Sequence, residues 1–353
     1  MPERTRNQPI VVGDVEVRPG QRVNVDLPVA KLYTATSLYM PVKVICGRRA
    51  GPVLFLSAAI HGDELNGVEI IRRLLRRQAL RSLRGTLLAV PIVNVHGFID
   101  QSRYLPDRRD LNRSFPGSVR GSIAGRLAHT FLNNIVLKSD FGLDLHTGAI
   151  DRANLPQIRA DLEDQRLELM AKAFGVPVVV NAALRDGSLR ACAAEHDIPV
   201  IVYEAGEALR FDELSIRAGV RGIIRVMREL GMLPAMKNPP AGRDPVIARS
   251  SRWGRAPSSG SVIAPSQLGS RGSEGDRLAV ICDPLGETAE AVLAPFDGIV
   301  IGSTRTPLAH EGDALFHLAD FRRVGRAENA VEEFAAIHDP ALERSVESNL
   351  LET

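Results

Sequence analysis

Val53-Leu54-Phe55-Leu56-Ser57-Ala58-Ala59-Ile60 runs directly into His61-Gly62-Asp63-Glu64. A short apolar run that ends at a polar turn has the pattern of a buried strand. The turn then offers a histidine and a carboxylate three residues apart, and both can aim at one point as long as the chain stays non-helical through Glu64. A second apolar run closes on Asp144-Leu145-His146-Thr147-Gly148. Strand ends on one edge of a parallel sheet meet at a shared crevice, so His146 can join His61 and Glu64 there. Two imidazoles and a carboxylate are the donor set of a catalytic zinc site, in which three protein ligands leave a fourth position open. One zinc ion per chain is the expected cofactor. His96, His129, His196, His310, His317 and His338 have no such neighbours and are read as ordinary core or surface histidines.

A third run, Ile198-Pro199-Val200-Ile201-Val202-Tyr203, delivers Glu204 and then Ala205-Gly206-Glu207. A carboxylate placed at a strand terminus beside a metal can accept a proton from the attacking water and return it to a leaving amine. Taken alone, Glu204 reads equally well as a salt-bridge partner or a helix-terminal charge. Three strands that each bring a polar group to one rim favour the catalytic reading. Between the first and third metal ligands lies Ser102-Arg103-Tyr104-Leu105-Pro106-Asp107-Arg108-Arg109-Asp110-Leu111-Asn112-Arg113-Ser114-Phe115-Pro116-Gly117, whose composition marks a structured loop. Arginine forks bind carboxylates in pairs of hydrogen bonds, and an arginine near a metal can hold a developing oxyanion.

His61-x-x-Glu64, Asp110-Leu111-Asn112-Arg113-Ser114-Phe115, Asp144-Leu145-His146-Thr147-Gly148 and Tyr203-Glu204-Ala205-Gly206 together resemble the succinylglutamate desuccinylase/aspartoacylase family, relatives of the zinc carboxypeptidases. The likeness covers roughly residues 40 to 232, with the four motifs in the family's order. It implies zinc on His61, Glu64 and His146, with Glu204 as general base and acid. It further implies that Asn112 and Arg113 hold the substrate's free carboxylate and that an upstream arginine polarises the scissile carbonyl. Arg103 is chosen for that last role, with Arg108 and Arg109 as alternatives. The function expected is hydrolysis of the amide bond of an N-acyl amino acid or related small amide bearing a free carboxylate. Two rivals are a metallocarboxypeptidase acting on short peptides and a non-catalytic zinc-binding scaffold.

Composition bounds the rest. The chain has 353 residues, 44% of them hydrophobic, and a formal net charge of +2, which is ordinary for a globular protein and makes no case for a nucleic-acid partner. Cys46, Cys192 and Cys282 are far apart and fit neither a disulfide framework nor a metal spacing, which points to a reducing compartment. Met1-Pro2-Glu3-Arg4-Thr5-Arg6-Asn7-Gln8 is polar, and no leader or membrane-spanning stretch is visible, so a cytoplasmic protein without a membrane partner is expected.

The organisation expected is an N-terminal β segment (1–46), an α/β catalytic domain (47–233), a linker (234–245), a C-terminal β domain (246–324) and an acidic helical tail (325–353). In the second of these, apolar runs alternate with helical patterns. Strands are expected at 86–93, 141–145, 176–181 and 199–203 and helices near 122–137, 161–174 and 213–230, giving a mixed or largely parallel sheet flanked by helices. In the fourth, Ala256-Pro257-Ser258-Ser259-Gly260-Ser261-Val262-Ile263 recurs as Ala294-Pro295-Phe296-Asp297-Gly298-Ile299-Val300-Ile301, and Glu274-Gly275-Asp276 as Glu311-Gly312-Asp313. Two copies too small to hold a core should close on each other as a β-barrel or sandwich. This half resembles the biotinyl/lipoyl hybrid barrel, but no lysine follows Lys237. A swinging-arm role is thereby ruled out, leaving a lid, a specificity element or a homo-oligomer contact.

Overall fold

The computed structural model describes residues 6–236 and 245–338. β1 (Ile10–Val12) and β2 (Val15–Val17) pair as a small hairpin, and β3 (Arg22–Lys31), β4 (Ser37–Cys46) and β5 (Arg49–Ala58) follow. Next come α1 (Asn66–Leu75), β6 (Arg84–Val90), α2 (Val95–Ile99), α3 (Ile123–Asn134), β7 (Phe141–Gly148) and β8 (Arg152–Ala160). α4 (Gln165–Phe174), β9 (Val178–Asn181), α5 (Leu189–Glu195), β10 (Val200–Glu207) and α6 (Glu213–Glu229) complete the stretch before residue 237. Beyond residue 245 lie β11 (Val246–Arg255), β12 (Gly260–Ile263), β13 (Arg271–Gly272), β14 (Arg277–Cys282), β15 (Ala289–Leu293), β16 (Gly298–Thr304), β17 (Leu308–Ala309), β18 (Ala314–Phe321) and α7 (Val324–His338).

A mixed sheet organises the molecule, in the order β13-β16-β18-β11-β9-β8-β10-β7-β5-β6-β4-β3. At its centre β6, β5, β7 and β10 run parallel, while β4 and β8 flank them antiparallel. Strands covered on both faces read as unbroken apolar runs, and Leu54, Phe55 and Leu56 are fully buried. One face packs Ile70, Ile71 and Leu74 of α1, Met170 and Phe174 of α4 and Ile223 of α6. The other packs Leu127 and Phe131 of α3 with Leu189 and Cys192 of α5. Arg72 and Arg73 of α1 lie on its outer face, and both are paired with carboxylates. Arg73 forms a two-pronged pair with Glu213 of α6 at 2.6 and 2.8 Å, and Glu69 takes Arg72 and the Nε of Arg73.

The expected elements are present with shifted ends. β7 and β10 continue to Gly148 and Glu207, so His146 and Glu204 lie inside strands rather than just past them. β8 and α5 have no counterpart among the expected elements. β8 contains Pro156 and polar residues, which mask a strand pattern. The acidic tail's helix is α7, which begins at Val324 and packs Val331 and Phe334 inward. The rest of that tail, and most of the linker, lie outside the described residues.

The C-terminal strands do not form a detached unit. β11 pairs with β9 in parallel, β18 with β11, β16 with β18, and β16 with β8. β8, β9, β11, β18 and β16 are therefore a closed ring of pairings. The sequence repeat appears as two three-strand units, β12–β13–β14 and β16–β17–β18. They exchange their middle strands, since β13 pairs with β16 and β17 with β12.

Candidate active site

His61 and Glu64 sit on the turn after β5, which stays non-helical until α1 begins at Asn66. Ala59 turns the chain with a left-handed φ of 50°. Gly62 lies so close to α2 that a Cβ there would meet the Gly97 carbonyl carbon at 1.9 Å, which no side chain can satisfy. Asp144 and His146 alternate on β7 and so share one face of the sheet. Glu204 on β10 is the direct register neighbour of His146 and points the same way.

His61, Glu64 and His146 are buried and offer ligand atoms within 4.8 Å of one another. Glu64 lies between the two rings, its Oε1 2.7 Å from His61 Nδ1 and its Oε2 2.8 Å from His146 Nδ1. Each imidazole's other nitrogen faces a second carboxylate, Asp110 at 3.2 Å from His61 Nε2 and Asp144 at 2.7 Å from His146 Nε2. Ser57 donates in turn to Asp144 at 2.7 Å. Arg103 reaches Glu64 at 3.4 Å and Asp110 at 3.0 Å.

These charges depend on one another. Burial alone would raise the Glu64 carboxyl, but the two histidines outweigh it and hold the group well below the usual carboxylate range. Burial likewise opposes charging His61 and His146, and the carboxylates around them push both upward, His146 strongly. Asp110 is held low against its own burial by His61 and Arg103. The pocket thus draws positive charge toward the point where Glu64 meets the two Nδ1 atoms. A divalent cation suits that point. With Asp110 and Asp144 facing each Nε2, a cation that displaced the Nδ1 protons now directed at Glu64 would find both Nδ1 lone pairs available to coordinate, as metal-bound histidines commonly arrange.

Glu204 is half-buried, with its Oε2 accepting from Asn154 Nδ2 at 2.8 Å and its Oε1 3.6 Å from Arg159 Nε. Leu111–Arg113 form a single 3-10 turn capped by Asp110, whose side chain accepts from the Asn112 amide at 2.8 Å. Asn112 Oδ1 accepts from the Leu189 amide at the start of α5, which leaves its Nδ2 to donate elsewhere. Arg113 is exposed and folds its Nη1 back onto the Asn112 carbonyl. No acid among the described residues pairs with Arg113. Arg103 is the arginine at the cluster. Arg108 and Arg109 are both exposed, and Arg109 lies 3.8 Å from Asp107.

Several contributors escaped the sequence reading. Asp144 was legible in principle, because a residue two before His146 on a strand must share its face. Asp110 was visible as part of a motif but carried no assigned contact. Asn154 and Arg159 lie on the unforeseen β8, and no local signal marks them.

Fold and cluster together define an α/β protein with a candidate metal centre at the carboxyl edge of its sheet. Residues 50–230 match the model of the succinylglutamate desuccinylase/aspartoacylase catalytic domain, and the chain belongs to that family. It is 32% identical over 186 residues to the N-alpha-acetyl-L-2,4-diaminobutyric acid deacetylase of Halomonas elongata. That alignment covers 51% of this chain and 54% of the relative, so the chain spans about half the length of the curated protein it matches. A crystal structure of a succinylglutamate desuccinylase/aspartoacylase from Rhodobacter sphaeroides is similar at a TM-score of 0.74 and 26% identity, covering 86% of this chain and 97% of that one. The product-bound ectoine utilization protein EutE (DoeB) from Ruegeria pomeroyi shares the fold at a TM-score of 0.77 and 23% identity, covering 88% and 99%.

Proposed function

We propose that this chain is a zinc-dependent deacylase that hydrolyses the amide bond of small N-acyl amino acids bearing a free carboxylate. The observation that carries the reading is the buried His61–Glu64–His146 cluster with Glu204 one strand away in register. The diaminobutyric acid deacetylase of Halomonas elongata supports the amide-hydrolysing class by its likeness. Nitrogen and oxygen donors in a compact, buried set of three suit zinc. Bound there, the ion would supply Lewis-acid polarisation of the acyl carbonyl and a water acidic enough to attack near neutral pH.

The chain's own residues do the remaining work. Glu204 accepts the proton of the attacking water and delivers it to the departing amine, the two halves of general base and acid catalysis. Arg103, held at the cluster by Asp110, presents its guanidinium to the oxyanion that forms on the acyl carbon. Asn112 Nδ2 and the Arg113 fork grip the substrate's carboxylate, and the contact of Asn112 with Leu189 fixes the amide's orientation for that task. No helix among the described residues is long and apolar enough to cross a membrane, and all three cysteines are free. Both facts support the cytoplasmic setting we assign.

The test is a screen of N-acetyl, N-succinyl and N-formyl amino acids and of dipeptides, with zinc-loaded and chelator-treated protein side by side. Turnover of one N-acyl class that chelation abolishes and zinc restores is the expected result. Turnover of dipeptides alone would mean a carboxypeptidase, and turnover indifferent to chelation would remove the metal from the account.

A further inference from the structure

Among the described residues, the side chains that reach Glu204 come from β8. Asn154 donates to one of its oxygens, and Arg159 lies near the other. Asn154 reaches the carboxylate because of an irregularity in the pairing. Glu204 faces Gln157 and Gly206 faces Asn154, so two steps on β10 oppose three on β8. Such a bulge re-aims side chains, and Pro156, which has no N–H to give the ladder, lies inside it. Without the extra residue Asn154 would point to the opposite face.

The far side of Asn154 is closed by the C-terminal half. Gly302 of β16 pairs with Asn154 of β8 and with His317 of β18. A Cβ on Gly302 would lie 3.0 Å from Asn154 Oδ1 and 3.2 Å from the His317 Cβ. His317 cannot yield easily, because it stacks on Trp253 at 4.7 Å and an interplanar angle of 7°. A side chain at position 302 would therefore push the Asn154 amide rather than β18. A carboxylate whose last torsion is broad needs such a partner to stay aimed, and proton transfer loses rate steeply when the acceptor is displaced.

We propose that Asn154 is a positioning residue for Glu204, and that its aim is set through Gly302 by the C-terminal half of the chain. The proposal rests on the reading of Glu204 as the proton carrier. It gives residues 246–338 a part in the reaction through the aim of Glu204.

The experiment measures kcat, KM, bound zinc and thermal midpoint for zinc-loaded Asn154→Ala, Asn154→Asp and Gly302→Ala, each alone and combined with Glu204→Gln. Asn154→Ala should lower kcat about tenfold to hundredfold, with KM and zinc content within about twofold of wild type. Asn154→Asp keeps the shape, loses the donor and sets a like charge beside Glu204, so it should lower kcat at least as far. Gly302→Ala should give a smaller loss of the same kind. In the Glu204→Gln background none of the three should cost anything further, because residues that act through one group are not additive. Losses that multiply with that of Glu204→Gln, or an Asn154→Asp enzyme as fast as wild type, would overturn the proposal while leaving Glu204 as proton carrier. Wild-type kcat in Gly302→Ala would remove the C-terminal half from it. Near-normal turnover of Glu204→Gln alone would overturn the reading of Glu204, and the proposal with it.

Discussion

Two regions of this molecule bear on the proposed function in different ways. The carboxyl edge of β5, β7 and β10 concentrates the chemistry in side chains that sit on or beside short sequence motifs. The C-terminal strands β11 to β18 contribute none of the metal-cluster residues. Three of them, β11, β18 and β16, close a ring with β8 and β9, and Gly302 of β16 lies in register with Asn154. The first region is specified by which residues it has, the second by where its strands pair. Changes in the first should therefore abolish a step outright, whereas changes in the second should detune geometry or stability.

The sharpest contrast is expected from the proposed metal ligands. His146→Ala removes one of three donors, and bound zinc and turnover should vanish together in metal analysis and a kinetic assay. Zinc content equal to wild type in that variant would break the ligand assignment. Glu204→Gln comes next, keeping zinc and fold while losing about 10²–10⁴-fold in kcat, the range of general acid–base catalysis. Asp144→Asn leaves His146 in place and loosens the support of its Nε2. Zinc affinity should fall about 10–100-fold by competition against a chelator, and an unchanged affinity would make Asp144 a mere core residue.

Arg113→Ala should lower kcat/KM about tenfold or more on substrates with a free carboxylate and little on amide-capped analogues, as a charge-assisted contact worth about 1.5–3 kcal/mol implies. Equal losses on both would mark Arg113 as a loop residue. The smallest effect belongs to the second region. Burial, aided by Arg159, pushes the His317 imidazole down to about 3. Its neutral form is the folded one, so its contribution is complete above its ordinary pKa of 6.5 and is lost as pH falls from there toward 3. At pH 5.5 wild type should have lost about 1.4 kcal/mol on this account, one unit's worth. His317→Phe, which keeps a ring against Trp253, should lose that much less between pH 7 and 5.5 in urea unfolding. Identical pH slopes would separate His317 from the acid response.

How much of this could be read from the chain follows the same division. His61, Glu64, His146 and Glu204 each follow an apolar run that has no way to hide its character, because strands buried on both faces must be continuously apolar. Asn112, Arg113 and Arg103 were singled out through the family likeness, and the structure brings Arg103 to the cluster while leaving Arg113 exposed. The pairing of β8 was not legible. Its sequence, Arg152-Ala153-Asn154-Leu155-Pro156-Gln157-Ile158-Arg159-Ala160, interrupts apolar alternation with a proline and a bulge. The internal repeat announced two matching units but not their exchange of β13 and β17, since pairing between distant strands leaves no mark on either one. Nor could it show that β16 would pair with β8, whose Asn154 donates to Glu204.

The central claim, a metal ion held by His61, Glu64 and His146, is tested most directly by diffraction from zinc-loaded crystals on both sides of the zinc absorption edge. The account predicts one anomalous peak per chain at about 2.0–2.2 Å from Nδ1 of each histidine and from a Glu64 oxygen. A peak at any other place, or none with Glu64 still hydrogen-bonded to both imidazoles, would contradict it.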